Sequence, residues 1–395
     1  MAAETRALLD PSLLAAPAPS TDTIGLYIHV PFCARLCPYC DFDTQDHDLQ
    51  LISPFADALV QEVALAPTAH VHSVFLGGGT PSLLRPEQLS AVLGACRAHF
   101  ALEPDCEITV ECNPNNVREA RLAGYRAAGV NRLSLGVQAM DDEALRLLGR
   151  QHTAERVRQA VATTRSVGFD DLSLDLMYGL PGQSLSEWEH TLDAALALAP
   201  AHLSCYLLTL EEWTPMGQQV ARGEVTLPED DLVAAQYELA HARLADAGLR
   251  QYEISNWARP GRESRHNLGY WRAEPYLGLG PGAVSSLHGR RRKQTPEVAA
   301  YLAAISGAHQ VFVEEETLDA GTQRREALML GLRLRAGVDA DVYRARFGVT
   351  VEEVCGDALG ELVAGGFLEW QAGRLRLAQW ALLISNEVLV RLSLA

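Results

Sequence analysis

Ile28-His29-Val30-Pro31-Phe32-Cys33-Ala34-Arg35-Leu36-Cys37-Pro38-Tyr39-Cys40-Asp41-Phe42 closes a strand-like run and sets three cysteines in a Cys-x-x-x-Cys-x-x-Cys pattern. Three thiolates so close together can hold three irons of a cubane iron–sulfur cluster. A [4Fe–4S] cluster normally takes four protein ligands, so one iron is left open for an exogenous ligand. An open coordination position is what a reactive metal site needs. Two other readings start from the same residues. Cys37-Pro38-Tyr39-Cys40 alone fits a thioredoxin-like pair with Cys33 as a buried thiol, but such a pair opens a helix after its strand, whereas here a third cysteine stands four residues earlier. Attachment of a c-type heme requires a histidine after Cys40, and Asp41 stands there.

Working outward, the 395 residues exceed what one hydrophobic core usually organises, so two domains are expected. The formal charge of −17 argues against a nucleic-acid surface, because phosphate binding relies on clustered Lys and Arg. The one basic run, Arg290-Arg291-Arg292-Lys293, reads as a solvated loop, with contact to propionates or another acidic ligand as the alternative. Eight cysteines, three of them clustered, indicate a cytoplasmic metal protein rather than a disulfide scaffold. Cys96, Cys106, Cys112, Cys205 and Cys355 are scattered and read as small buried hydrophobes. Residues 1–23 are Ala/Pro-rich, lack the basic start and long apolar core of a signal peptide, and read as a disordered tail. No stretch approaches the roughly 18 uninterrupted apolar residues of a transmembrane segment.

Strand-like runs at Ile24–Val30, Ser73–Leu76, Glu107–Glu111, Arg132–Val137, Asp171–Met177 and His202–Leu208 alternate with amphipathic stretches such as Pro86–Phe100, Val117–Ala128, Ala154–Val167 and Ser186–Leu198. This alternation predicts an α/β fold with a parallel sheet and right-handed crossovers, in six units, short of an eight-fold barrel. Chemistry in such folds sits where strands end. Gly77-Gly78-Gly79-Thr80-Pro81, Glu111-Cys112-Asn113-Pro114, Gly136-Val137-Gln138 and Asp175-Leu176-Met177-Tyr178-Gly179 stand at four of those ends, although each also fits turn punctuation. Beyond residues 24–250, the stretch 251–316 reads as an aromatic and Gly-rich linker whose loop spans Asn256–Ser286. Residues 317–395 read as a smaller helical domain, with helices at Thr322–Leu334, Asp339–Phe347 and Glu352–Ala364 and a hairpin about Ala372-Gly373, winged-helix-like in outline.

Tyr27-Ile28-His29-Val30-Pro31-Phe32-Cys33 with Cys37-Pro38-Tyr39-Cys40-Asp41-Phe42 resembles the opening of the radical S-adenosylmethionine (SAM) superfamily, in its coproporphyrinogen oxidase-like branch. The resemblance runs from about Ile24 to the C-terminus. It implies an incomplete six-unit (β/α) radical SAM barrel, a [4Fe–4S] cluster on Cys33, Cys37 and Cys40, and SAM on the open iron. It also implies SAM contacts at Tyr27, Phe42, Gly78, Gly79, Thr80, Glu111, Gln138, Arg150, Asp175, Tyr206 and Thr209, of which Arg150, Tyr206 and Thr209 are placed by offset rather than by a distinctive motif. Physically, Gly78 and Gly79 let backbone approach a ligand with no Cβ between, Glu111 and Asp175 suit an ammonium or ribose hydroxyls, and Gln138 offers donor and acceptor together.

Within that branch, oxygen-independent coproporphyrinogen III oxidases carry an extra cysteine where Phe42 stands, and a long N-terminal extension where 23 residues precede Ile24. Both departures point to the radical-SAM-type heme chaperone group. Arg265-His266-Asn267-Leu268-Gly269-Tyr270-Trp271 resembles that group's His-Asn-x-x-Tyr-Trp motif, which implies heme contacts at His266, Tyr270 and Trp271. Histidine is a common axial heme ligand and Tyr or Trp can stack on a porphyrin, but a hydrogen-bonded loop histidine beside an aromatic pair in an inter-domain seam would look the same. In Gly280-Pro281-Gly282-Ala283-Val284-Ser285, Val284 stands where the family often has histidine, which weakens any bis-histidine arrangement. The expectation is therefore a chaperone that binds heme and passes it to a heme-accepting protein, with a porphyrin-forming oxidative decarboxylase as the alternative. A radical SAM enzyme acting on tRNA lacks the basic surface.

Overall fold

The computed structural model describes residues 23–393. The expected tail therefore lies outside the described residues except for Thr23, which opens the first strand. Six strands, β1 (Thr23–Val30), β2 (His70–Gly78), β3 (Ala101–Cys112), β4 (Arg132–Gln138), β5 (Asp171–Tyr178) and β6 (His202–Leu207), lie side by side in chain order. All five pairings between them are parallel. Helices Ile52–Leu65, Pro86–His99, Glu119–Ala127, Ala154–Ser166 and Leu185–Leu196 make the crossovers. This is the six-unit α/β architecture the alternation predicts.

Strict two-residue alternation along these strands decides what each face does. Leu26, Ile28 and Val30 of β1, Val74 and Leu76 of β2, Ile108 and Val110 of β3, Leu133, Leu135 and Val137 of β4, Leu172, Leu174 and Leu176 of β5, and Leu203 and Cys205 of β6 are all buried. They form one aliphatic face for the helices to cover. The intervening positions are polar or aromatic, and register aligns them in rows: Tyr27 beside Phe75 beside Thr109, and Glu111 beside Ser134 beside Ser173 beside His202. That second face is the wall of the interior.

The stretch expected to be a linker is folded into the sheet. Arg250–Glu253 (β7) and Asn256–Ala258 (β8) pair antiparallel beyond β6. Tyr276–Leu279 (β9) pairs parallel with β1, and Val284–Leu287 (β10), Arg290–Gln294 (β11) and Phe312–Thr317 (β12) follow antiparallel, giving the order β12-β11-β10-β9-β1-β2-β3-β4-β5-β6-β8-β7. Glycines and short runs hid these strands, since a four-residue strand carries too few positions for periodicity to register. The basic run is likewise a strand: Arg291 pairs with Glu316 and Glu326, Arg292 with Glu315 and Lys293 with Asp43. The run is therefore a strand rather than a solvated loop, and three of its four cations are paired within the protein.

One buried carboxylate fastens this extension to the barrel. Glu62, on the first helix, accepts from Gly280 N and Tyr301 Oη at 2.8 Å through one oxygen, and from Gln294 Nε2 at 2.8 Å and Gln310 Nε2 at 2.9 Å through the other. Four donors replace the water a carboxylate loses on burial. At the C-terminus, helices Ala320–Gly331, Ala340–Phe347, Val351–Ala364 and Ser385–Ser393 surround a small sheet of Val338–Asp339 (β13), Leu368–Gln371 (β14) and Arg374–Leu377 (β15). Ala372 and Gly373 both take positive φ, 49° and 77°, as a tight hairpin turn requires. No described helix is long and apolar enough to cross a membrane.

Glu62→Ala would strand all four donors in the core, and we expect a loss of about 2–4 kcal/mol. The urea midpoint measures it, and a change within a few tenths of a kcal/mol would mean that water replaces the carboxylate.

Candidate functional site

The cluster loop leaves β1 through a short parallel pairing: Gln45 N donates to Pro31 O at 2.7 Å and Cys33 N to Gln45 O at 2.8 Å. Buried Phe32 packs edge-on against Phe55, with ring centroids 5.3 Å apart. Beyond Cys33 the loop is held from outside. Met216 N donates to Pro38 O at 2.8 Å, and a Cβ at Gly149 would stand 2.6 Å from Pro38 Cδ. His29 secures the far limb, since its Nε2–H donates to Asp43 O at 2.8 Å. With that proton assigned, Nδ1 accepts from Tyr27 Oη at 3.0 Å.

Cys33, Cys37 and Cys40 are free, partly exposed thiols on the wall of a cavity of about 520 Å³. Thr80 Oγ1 lies 3.5 Å from Cys33 Sγ, and Arg150 Nη1 lies 3.5 Å from Cys37 Sγ. Burial pushes the Cys33 and Cys40 thiols up, with hydrogen bonds from Thr80 and from the Phe42 backbone pulling back respectively. Such thiols hold their protons until a cation displaces them, as a metal does outright. Among the described residues no three His, Cys, Asp or Glu side chains converge on one ion position. A cubane binds each thiolate through a separate iron, so its ligands surround a volume, and three free thiols on one cavity wall fit that demand.

The same cavity gathers Phe42, Gly78, Gly79, Thr80, Glu111, Gln138, Arg150, Asp175, Tyr206 and Thr209. Glu111 Oε2 accepts from Gly78 N at 3.2 Å. Asp175 accepts from Ser134, Ser173 and Ser204 hydroxyls at 2.8–3.1 Å. Gln138 has φ 68°, unusual for a side-chain-bearing residue, at a register shift in β4. Arg150 Nη2 donates to Gly136 O at 2.7 Å, which braces its other nitrogen towards Cys37.

Tyr27 stands beside the cavity-lining Phe75, with ring centroids 6.3 Å apart, and its hydroxyl donates to His29 Nδ1 at 3.0 Å. Gly78, on the cavity wall, takes φ 105°, and the His29 ring stands 2.5 Å from where a Cβ would be. Gly79 similarly abuts the Phe32 carbonyl oxygen, 2.7 Å from its would-be Cβ.

His266 is not presented to any open space. It is 3% exposed, on helix Arg265–Trp271, whose start is capped by Ser264 and by Glu107 accepting from the Arg265 and His266 backbone N–H groups. Ser73 Oγ meets its Nδ1 and Tyr270 Oη its Nε2, both at 3.0 Å, and Phe75 stacks on the ring at 5.1 Å. Burial drives its pKa down to about 3, so the ring stays neutral. Tyr270 packs edge-on against Tyr276, and Trp271 lies under the Arg333 guanidinium of the C-terminal region. His266 is thus packed on the interior face of β2, while Asn267 of the same motif reaches the cavity.

Sequence reasoning missed Arg132, Ser134, His202, Ser204 and Asn267, which reach the same cavity. The first four occupy the polar positions of the strand alternation, which was the available signal. Asn267 stood within the His-Asn-x-x-Tyr-Trp motif but was given no role, and its place depends on a helix that sequence reading left as loop. Cys112, read as a buried hydrophobe, is buried and also touches the cavity.

With this geometry in view, comparison with known proteins gives a consistent result. The Radical SAM superfamily profile matches residues 27–195 and the HemN C-terminal domain profile residues 318–384. The chain is 39% identical over 382 residues to heme chaperone HemW of Mycobacterium tuberculosis (strain CDC 1551 / Oshkosh), covering 94% of this chain and 95% of the relative. It is 35% identical to the Bacillus subtilis (strain 168) heme chaperone HemW, covering 92% and 97%. It is 37% identical to mouse (Mus musculus) radical S-adenosyl methionine domain-containing protein 1, mitochondrial, covering 96% and 83%. Among solved structures, coproporphyrinogen III oxidase (HemN) from Escherichia coli superposes with a TM-score of 0.81 at 22% identity, covering 96% of this chain and 92% of that one, a likeness of fold.

The Glu111 carboxyl is pushed up to about 8, first by burial and then by the charge of Asp175, against the pull of the Gly78 N–H. A folded-state value above the unfolded one means that the group favours folding at low pH and that this contribution is lost as pH rises from the usual carboxylate range through about 8. Glu111→Gln should therefore stabilise the ligand-free protein at pH 8 by on the order of 1–3 kcal/mol, discounted for the open cavity, with no gain near pH 4. Thermal melts at the two pH values check this; a gain independent of pH would contradict it.

Proposed function

The chain belongs to the HemW family of the radical SAM superfamily, and on that premise we propose that it is a heme chaperone, binding heme and passing it to an acceptor protein beside a SAM-ligated [4Fe–4S] cluster. The observation that carries the reading is the convergence of Cys33, Cys37 and Cys40 with the strand-end residues of β2 to β6 on one cavity. Three cysteine ligands leave room for SAM at the cluster, which when bound supplies an electron and an open iron for the amino and carboxylate groups.

The chain's own residues do the holding. Thr80 and Arg150 direct donors at the sulfurs of Cys33 and Cys37. Glu111 and Asp175 turn acceptors towards a cationic, hydroxyl-bearing ligand, and Gln138, Tyr206 and Thr209 border it. We assign residues 24–250 to the radical SAM core and 317–395 to the C-terminal domain, with 251–316 completing the sheet edges. We place the protein in the cytoplasm, in keeping with its free thiols.

The second reading, an oxygen-independent coproporphyrinogen oxidase, draws on the shared fold. Phe42, where the oxidase has a cysteine, favours the first.

Anaerobic reconstitution followed by addition of heme or coproporphyrinogen, each with SAM and reductant, separates the two. We expect saturable heme binding by Soret absorbance, transfer to an apo-acceptor, and no protoporphyrinogen by HPLC; porphyrin product at many turnovers per chain would return the protein to the oxidase class. Replacing any of Cys33, Cys37 or Cys40 with alanine should lower iron and sulfide content and remove the reduced-cluster EPR signal. Parental cluster content in all three variants would sink the cluster assignment.

A further inference from the structure

We propose that heme docks flat across the mouth of the barrel, on an apolar rim formed by Leu36 and Phe42 of the cluster loop, Leu207 at the end of β6 and Trp213 beyond it. The inference rests on the chaperone reading and adds to it a place for the ligand. Of the large apolar side chains among the described residues, Trp213 at 68% and Phe42 at 62% are the most exposed, and Leu207 and Leu36 are 42% and 39% exposed. Leu36, Phe42 and Leu207 line the cavity that holds the three cysteines. Trp213 stands on the segment whose Met216 N–H clasps Pro38 O, so the two apolar loops are fastened together.

Apolar surface left open around a polar cavity calls for a ligand with an apolar face. SAM answers the polar wall below but offers little to the rim. A porphyrin offers two flat apolar faces and one carboxylate-bearing edge, which suits aromatic side chains on opposite sides of an opening. Arg35, on the same cavity wall, makes no ion pair among the described residues and can meet a propionate. Asp41 and Glu212 on these loops are exposed acids, which would repel a second propionate from the rim.

The test is heme titration of the full, reconstituted chain, following the Soret band and stoichiometry. Leu207→Ala/Trp213→Ala should weaken heme binding about tenfold to a hundredfold, with iron content and SAM affinity unchanged. Phe42→Ala should weaken heme binding in the same sense. His266→Asn, which preserves polar contacts, should keep the parental Soret position while melting lower. Unchanged heme affinity in the rim variants overturns the proposal, as does a shift in oligomeric state by light scattering without a change in heme affinity, which would make the rim a contact between two copies. Loss of the Soret signal in His266→Asn at parental fold would return the ligand to the motif. If the parent chain binds no heme at one equivalent, the chaperone reading fails first, and the rim variants are not what decides it.

Discussion

Six parallel strands that each carry an aliphatic face and a polar face impose the constraint from which the rest follows. Parallel strands are covered on both sides, so both faces must find partners away from bulk water. The aliphatic face finds them in the crossover helices. The polar face has no second layer of aliphatic side chains, and its groups satisfy one another: Asp175 gathers three serines, and His202 bonds Ser173 and Tyr252. Glu111, near the end of β3, keeps a single backbone donor, Gly78 N. The barrel interior therefore satisfies most of its polar groups internally and retains capacity at Glu111, where a charged cofactor can use it.

A loop of irregular backbone has to hold three sulfurs in that mouth, and its stiffness is imported. His29 bonds the far limb, Gly149 and Met216 close on Pro38, and Lys293 reaches Asp43 from β11. The buried Glu62 belongs to the same system. By bonding Gly280 it sets the turn after β9, whose Gly282 packs on Asp43 and whose Gly280 leaves no room for a Cβ beside the His29 carbonyl. The edge strands beyond β1 thus buttress the cluster loop from behind.

The His266 segment changes meaning once its surroundings are known. A histidine followed by tyrosine and tryptophan suits a porphyrin, and it equally suits a helix stitched onto the interior face of β2. Glu107 caps that helix, Ser73 and Tyr270 consume the imidazole nitrogens, and Trp271 meets Arg333. The aromatic pair joins the C-terminal region to the barrel.

From sequence alone, the cysteine spacing, the six β/α units and the C-terminal hairpin at Ala372-Gly373 were legible, because each rests on local chemistry: ligand spacing, long apolar runs, a turn that needs positive φ. The strand-end residues Glu111, Gln138 and Asp175 could be picked out for the same reason, since position along a strand fixes which end of a barrel a residue occupies. Of the edge strands only β7 was legible, as a short strand at Arg250–Ile254; β8 to β12 are too short for a period, and β9 is held by pairing with β1, more than two hundred residues distant in chain. The pairing of Arg291 and Arg292 with the acids of β12, the hydrogen bond of Tyr27 to His29 and the burial of His266 were decided by tertiary structure. A side chain's type states which partners it can take; only the packed neighbours determine whether those partners are already supplied by the protein or left for a ligand.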